Sequence, residues 1–313
     1  MTRSGISGFI ADLKSSSAFR DLIVHHEHLS GSPGETARPA APWPLPIRDL
    51  LDRLGIGELY AHQARAVDSV RAGEHTVVST PTASGKSLIY VLPVLERLLA
   101  GAASKTLYIS PLKALARDQH KTLSRLFALL QAGTAPRAEV YDGDTPQKNR
   151  ARIRKNPPDL LLTNPEMLHL GILPQHRLWP GFLAHLEFVV IDEVHTYRGI
   201  TGSNMAWVFR RLRRICRAYG ADPTFVLCSA TVGNPAELSR NLTGVDVRCV
   251  TESGAPQGPK HFLFLNPVLS GAAANALHLL HAALIRGLKT IVYCQSRKMT
   301  ELISMWTKQR LAN

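Results

Sequence analysis

Hydrophobic and polar positions along this chain alternate between two periods. From residue 75 onward, short apolar runs rich in Val, Ile and Leu recur at 75–79, 106–110, 139–141, 159–163, 188–191, 224–229 and 247–250, most of them separated by stretches with helical spacing. Runs apolar at nearly every position predict strands buried on both faces, and helices between them predict parallel pairing. The expected fold class is α/β, a parallel sheet with helices on both faces. Ahead of it, 9–28 carries an amphipathic pattern read as helical, and 31–46 contains five prolines, Pro33, Pro39, Pro42, Pro44 and Pro46, the composition of a linker. Past 266 the pattern predicts a helix at about 271–286, a strand at 289–294 and a helix from 297. One strand with two helices cannot bury its apolar faces alone, so the chain is expected to stop inside a second domain. The expected organisation is a helical extension at 1–30, a Pro-rich linker with a short helix at 31–54, the sheet domain at 55–265, and a truncated second domain at 266–313.

Composition narrows the class. The 313 residues carry 37 Lys+Arg against 24 Asp+Glu, a formal charge of +13, which points to a polyanionic partner. The longest apolar stretch, 88–103, is broken by Glu96 and Arg97, short of the roughly 18–20 apolar residues of a membrane span. Asp12, Lys14, Arg20 and Asp21 interrupt the first 24 residues, so no signal-peptide core is read and the expected location is cytoplasmic, with no membrane partner. Cys216, Cys228, Cys249 and Cys294 are scattered without a Cys-x-x-Cys pair, which predicts neither a disulfide framework nor a zinc site.

Candidate chemistry begins at Thr80-Pro-Thr-Ala-Ser-Gly-Lys-Ser87, between an apolar strand and an apolar helix. It matches the G-x-x-x-x-G-K-[ST] phosphate loop except that Thr80 replaces the first glycine. Backbone N–H groups of Ala83, Ser84, Gly85, Lys86 and Ser87 at a helix N-terminus would cradle a β-phosphate, Lys86 would reach the β- and γ-phosphates, and the Ser87 hydroxyl would meet Mg2+. A second element, Phe188-Val-Val-Ile-Asp-Glu-Val-His195, ends a strand in two carboxylates. Asp192 would hold Mg2+ through water, and Glu193 would orient and deprotonate an attacking water. The pair of motifs predicts an ATPase whose catalytic residues are Lys86, Asp192 and Glu193.

With these residues in place, the chain resembles the superfamily-2 helicases. Gln63 in Leu59-Tyr-Ala-His-Gln63 matches the adenine-reading glutamine, and Thr82 with Ala83 to Ser87 matches the nucleotide loop. Ser110-Pro-Leu-Lys-Ala-Leu-Ala-Arg-Asp-Gln119, Tyr141-Asp-Gly-Asp144 and Thr163-Asn-Pro-Glu166 resemble strand-contacting motifs. Asp192-Glu-Val-His195 matches the acidic box, Ser229-Ala-Thr231 the coupling motif, and 290–296 the opening strand of a second RecA-like domain. The variant Thr82-Ala-Ser-Gly-Lys-Ser87 and the extension His195-Thr-Tyr-Arg-Gly199 are similar to the DNA-repair helicases of the mitomycin repair factor A type. That resemblance implies a RecA-like motor fold, ATP and Mg2+ as cofactors, and single-stranded DNA tracked past Pro111, Leu112, Lys113, Gly143, Thr163, Asn164, Pro165 and Arg198, with Ser229 and Thr231 coupling hydrolysis to movement. RNA is the alternative substrate. The motif supplying arginine fingers and the family's cysteine-rich metal module have no match here, so the 313 residues are expected to bind nucleotide, hydrolyse it slowly and unwind no duplex unless a separate polypeptide completes the motor. A nucleotide-dependent DNA-binding module is the competing expectation.

Three features have plainer readings. The run 209–217 places Arg210, Arg213, Arg214 and Arg217 opposite an apolar helical stripe, which a solvated face explains without DNA. Lys148, Arg150, Arg152, Arg154 and Lys155 form a basic cluster open to either solvation or phosphate contact. His25-His-Glu-His28 lacks the spacing that puts two imidazoles on one helical face and is read as a polar helix end.

Overall fold

The computed structural model describes residues 5–130, 135–267 and 271–312, so parts of the terminal segments anticipated from sequence lie outside the described residues. The chain divides into two compact units, Pro33–Pro256 and the pair Met1–Ser32 with Gln257–Asn313.

The larger unit is built on seven parallel strands: β1 (Thr76–Ser79), β2 (Lys105–Ile109), β3 (Ala138–Val140), β4 (Leu160–Thr163), β5 (Leu186–Ile191), β6 (Thr224–Ser229) and β7 (Arg248–Val250), in the order β7-β1-β6-β5-β2-β4-β3. Their apolar residues divide by parity between two cores. Val78, Tyr108, Leu162, Val190 and Val226 face one side, and Val77, Leu107, Leu161, Val189 and Phe225 the other. Successive side chains of a strand point to opposite faces, so a strand covered on both sides must be apolar throughout. The main helices are α1 (Leu45–Arg53), α2 (Ala61–Arg71), α3 (Ser87–Leu99), α4 (Lys113–Leu129), α5 (Gln147–Lys155), α6 (Gly199–Ala218) and α7 (Pro235–Thr243).

The segment expected to be a linker is a fixed part of this unit. Trp43 packs against the first core together with the buried Ile47, Leu50 and Leu51 of α1. Arg71 stacks on the Trp43 ring at 3.9 Å, donates to the Ala41 carbonyl at 2.8 Å, and forms a two-pronged pair with Glu96 at 2.8 and 2.9 Å. The prolines hold an extended path that lets Trp43 reach the core, which composition alone reads as flexibility.

The arginine face of α6 also has a structural use. Arg210 donates to the Asn241 carbonyl at 3.2 Å, and Arg213 to Thr243 and Gly244 at 3.4 and 3.0 Å. These carbonyls end α7, where helical partners run out and cations are favoured. Neither bare solvation nor DNA contact accounts for Arg210 and Arg213.

In the smaller unit, helix Ile6–Ser15 is followed by a strand, Ile23–Leu29, paired antiparallel with Lys260–Leu265. The histidines expected to end a helix therefore lie on a β-ribbon, where His26 Nε2 and His261 Nδ1 are 3.0 Å apart. Pairing with a segment 235 residues away overrides the local amphipathic pattern. Helices Ala272–Leu284 and Arg297–Ala312 form as anticipated. The strand anticipated at 289–294 does not form: Ile291 and Tyr293 are 76% and 91% exposed, and no described strand pairs with it. A strand needs a neighbour for its backbone hydrogen bonds. Among the described residues no helix is long and apolar enough to cross a membrane.

Candidate nucleotide site and nucleic-acid groove

The strand order divides the carboxyl edge of the sheet into two halves. Because β6 lies between β1 and β5, the loop 80–87, the segment 229–231 and the turn 192–195 emerge side by side. Ser79 Oγ donates to the Ala230 carbonyl at 3.0 Å and accepts from Val232 N at 3.2 Å, tying the first loop to the second. Ala230 N–H donates to His195 Nδ1 at 3.3 Å, tying the second to the third. Glu193 Oε2 lies 3.3 Å from the same imidazole nitrogen. Ser229 is buried with its hydroxyl unpartnered, and Thr231 is exposed.

The phosphate loop is held from inside. Thr80 Oγ1 and Ser84 Oγ are 2.7 Å apart and both residues are buried, so the threonine that replaces the usual glycine closes the loop across its base. Ala83 and Gly85 have φ of 61° and 77°. The positive φ of Gly85 favours glycine, and a Cβ added there would stand 2.4 Å from Gln63 Nε2 and displace that side chain from the loop. Lys86 Nζ donates to the Thr80 and Pro81 carbonyls at 3.0 and 2.9 Å. Burial pulls its pKa below the ordinary lysine value, partly opposed by Cys228, Glu193 and Asp192. Thr82 is exposed at the lip, and Ser87 opens α3.

Gln63 spans the loop and its own helix start, donating from Nε2 to the Gly85 carbonyl at 2.8 Å and accepting Tyr60 N–H on Oε1 at 2.9 Å. Its neighbour His62 was not singled out from sequence. It is fully buried, accepts Gly254 N–H on Nδ1 at 3.1 Å, and therefore carries its proton on Nε2, which faces the Ser84 carbonyl at 3.0 Å. Burial lowers its pKa from the usual histidine value. The only sequence signal was its place beside Gln63.

At the acidic end, Asp192 accepts Glu193 N–H on Oδ1 at 2.9 Å and the Tyr108 hydroxyl on Oδ2 at 2.5 Å. Glu193 turns through a left-handed backbone, φ 52°. Ser87 and Asp192 are hard oxygen donors beside a phosphate loop, and no group of three or more His, Cys, Asp and Glu among the described residues could hold a metal by itself. That donor set fits Mg2+, an ion that takes few protein oxygens and is completed by phosphate and water.

The other half of the edge, after β2, β4 and β3, opens into a cavity of about 660 Å³ lined by Lys113, Gly143, Asp144, Arg150, Arg154 and Asn164 among others. Lys113 and Arg117 both bind Asp144, at 2.7 and 2.6 Å, which raises the Lys113 pKa and lowers that of Asp144. A Cβ on Gly143 would lie 3.3 Å from Lys113 Nζ. Leu112 is 60% exposed and Pro111 half-buried. Asn164 and Pro165 begin a short helix, with Asn164 Oδ1 accepting Met167 N–H at 2.8 Å. Thr163 turns inward, its buried hydroxyl donating to the Tyr141 carbonyl at 2.7 Å, so it joins two loops and presents no side chain to a ligand. Arg198 stands exposed at the start of α6 and does not line the cavity. Within the basic cluster, Arg152 pairs with Glu139, and Arg150 donates to the Thr145, Asp142 and Gly143 carbonyls at 2.9, 2.9 and 3.0 Å. Arg150 thus shapes the loop at 142–145 and, with Arg154, lines the cavity, while Arg152 ties α5 to β3.

A phosphate loop facing an acidic strand end across an intervening strand is the architecture of a P-loop ATPase domain. More narrowly, the chain belongs to the DEAD/DEAH box helicase family, whose pattern matches residues 60–238. It is 40% identical to the ATP-dependent helicase YprA of Bacillus subtilis over 97% of its own length and 41% of that protein's. It is 37% identical to the ATP-dependent helicase HRQ1 of Saccharomyces cerevisiae over 78% of this chain and 24% of the relative. Among solved structures it is similar to the DUF1998 helicase MrfA bound to DNA and AMPPNP, with a TM-score of 0.92 and 39% identity, covering 97% of this chain and 43% of that one. The chain thus spans about two-fifths of the length of YprA and MrfA.

Proposed function

We propose that this chain is the ATP-binding motor domain of a DNA helicase or translocase acting in DNA repair in the cytoplasm. The observation that carries the reading is the hydrogen-bonded chain Ser79–Ala230–His195, which joins the phosphate loop, the coupling segment and the acidic turn. In this reading Gln63 and Thr80–Ser87 hold ATP, and Lys86 moves from the Thr80 and Pro81 carbonyls to the β- and γ-phosphates. Ser87 and, through water, Asp192 would hold Mg2+, which would supply charge neutralisation at the phosphate oxygens. Glu193 orients the attacking water and accepts its proton. A change at the γ-phosphate reaches Ser229–Thr231 through His195.

The strand runs over the cavity beside Lys113, Gly143 and Asn164, with Pro111, Leu112 and Pro165 at its margins. Phosphate contacts there are nonspecific and salt-dependent. The MrfA complex, solved with DNA, supports DNA as the polymer, and single-stranded DNA is the form proposed here. RNA is the second substrate to be compared.

Hydrolysis in two-lobed motors is completed by groups from a second RecA-like lobe. Residues 1–313 taken by themselves are therefore expected to bind ATP, turn it over slowly and unwind no duplex, and addition of a second lobe is expected to raise activity. Steady-state ATP turnover with and without single-stranded DNA or RNA, with Glu193→Gln as control, tests this. Brisk DNA-stimulated unwinding by the chain alone would overturn the division of labour, and absence of nucleotide binding would overturn the site.

A further inference from the structure

We infer that Tyr108 is a positioning residue for the acidic end of the nucleotide site, holding the Asp192 carboxylate from inside the sheet in the orientation that a phosphate-bound Mg2+ requires. The inference rests on the reading of Ser87 and Asp192 as the Mg2+ contacts.

Tyr108 is the penultimate residue of β2 and pairs in register with Val190 of β5, two residues before Asp192. Its side chain belongs to the first core and is 1% exposed. A phenylalanine would fill the same space, so packing alone does not call for the hydroxyl. A buried hydroxyl must find a partner, because leaving it unpaired is unfavourable. This one reaches Asp192 Oδ2 at 2.5 Å, while Oδ1 accepts Glu193 N–H at 2.9 Å. Each carboxylate oxygen thus receives one donor from the protein, which sets the plane of the group and leaves a lone pair on each for outside ligands. Burial foremost, then Tyr90 and the Asp192 charge, push the Tyr108 pKa above its ordinary value.

The support continues behind Tyr108. Its ring packs on Tyr90 of α3, with centroids 5.8 Å apart, and the Tyr90 hydroxyl accepts from Gln119 Nε2 at 2.6 Å. Gln119 lies on α4, the helix whose first residue is Lys113. Asp192 is therefore backed by the helix that follows the phosphate loop and by the helix that begins at the groove. Partners of metal-holding groups fix ligand orientation in this way.

Tyr108→Phe keeps the ring and removes only the donor. Binding of a fluorescent ATP analogue, titrated with Mg2+ and repeated in EDTA, should show unchanged affinity without metal and a half-saturating Mg2+ concentration raised about tenfold or more. In a double-mutant cycle with Asp192→Asn, the two effects should be strongly non-additive. Wild-type Mg2+ dependence in Tyr108→Phe, equal losses with and without Mg2+, or additive effects would each overturn the proposal. If Tyr108→Phe does not fold, 3-fluorotyrosine at position 108 replaces it. Its fluorine resonance should move when Mg2+ is added to the nucleotide complex, and a resonance that stays put overturns the proposal. A wild-type chain that binds no nucleotide under either condition would instead refute the nucleotide-site reading itself.

Discussion

Gln63 donates to the Gly85 carbonyl at 2.8 Å, so the residue matched to adenine reading also braces the backbone of the phosphate loop. Gln63→Ala should weaken ATP by about three- to tenfold, the loss of one hydrogen bond, and should weaken inorganic tripolyphosphate as well. A glutamine that reads only adenine would leave tripolyphosphate binding unchanged. Calorimetric titration with both ligands distinguishes the two.

Ala83 sits at φ 61°, a left-handed conformation that L side chains resist. Ala83→Gly should raise stability by up to about 1 kcal/mol, and Ala83→Val should lower it by more, because a β-branched side chain fits this region least. Thermal melting of the two variants checks the order, and nucleotide affinity should be retained in the glycine form.

Asp144 engages both Lys113 and Arg117 at the mouth of the groove. Asp144→Asn should free Lys113 for phosphate and leave Arg117 only its longer, 3.5 Å pair with Asp142, tightening single-stranded DNA binding and steepening its salt dependence by about 0.7 in log–log slope for each phosphate gained. Lys113→Ala should do the reverse. Fluorescence anisotropy across a salt series measures both, and a salt slope unchanged by either substitution would remove this ion pair from the binding surface.

His62 is held neutral between Gly254 N–H and the Ser84 carbonyl, and its pKa is lowered on folding. Below the ordinary histidine pKa the unfolded chain takes up a proton that the folded chain resists, so stability falls as pH falls through that window toward the lowered folded value. Wild type should therefore lose stability more steeply than His62→Gln between about pH 7 and 5. Denaturant unfolding at several pH values checks the difference in slope, which also removes the parallel contributions of His26 and His75.

The five central strands of the sheet were legible because a strand covered on both faces is apolar at most positions, whatever the rest of the chain does. The phosphate loop and the acidic turn were legible for a similar reason: a Gly-Lys-Ser turn after a strand and two carboxylates at a strand end are local solutions to local chemistry. Contacts between distant segments carry no such mark. The Pro-rich stretch became a packed edge because Trp43 found Arg71, and the histidines at 25–28 became a strand because residues 260–265 lay opposite. The strand anticipated at 289–294 failed for want of a neighbour.

Residue types and their order therefore determined the sheet, the ATP-site motifs and the family resemblance. Only tertiary structure decided how each site residue is used: Thr163 turned inward, Asn164 capping a helix, Arg213 closing α7, and His62 and Tyr108 bracing the site from positions that look like ordinary core. The physical reason is that a buried polar group must be satisfied by whatever lies beside it in space, and for Tyr108 and Asp192 that partner is 84 residues away in the chain.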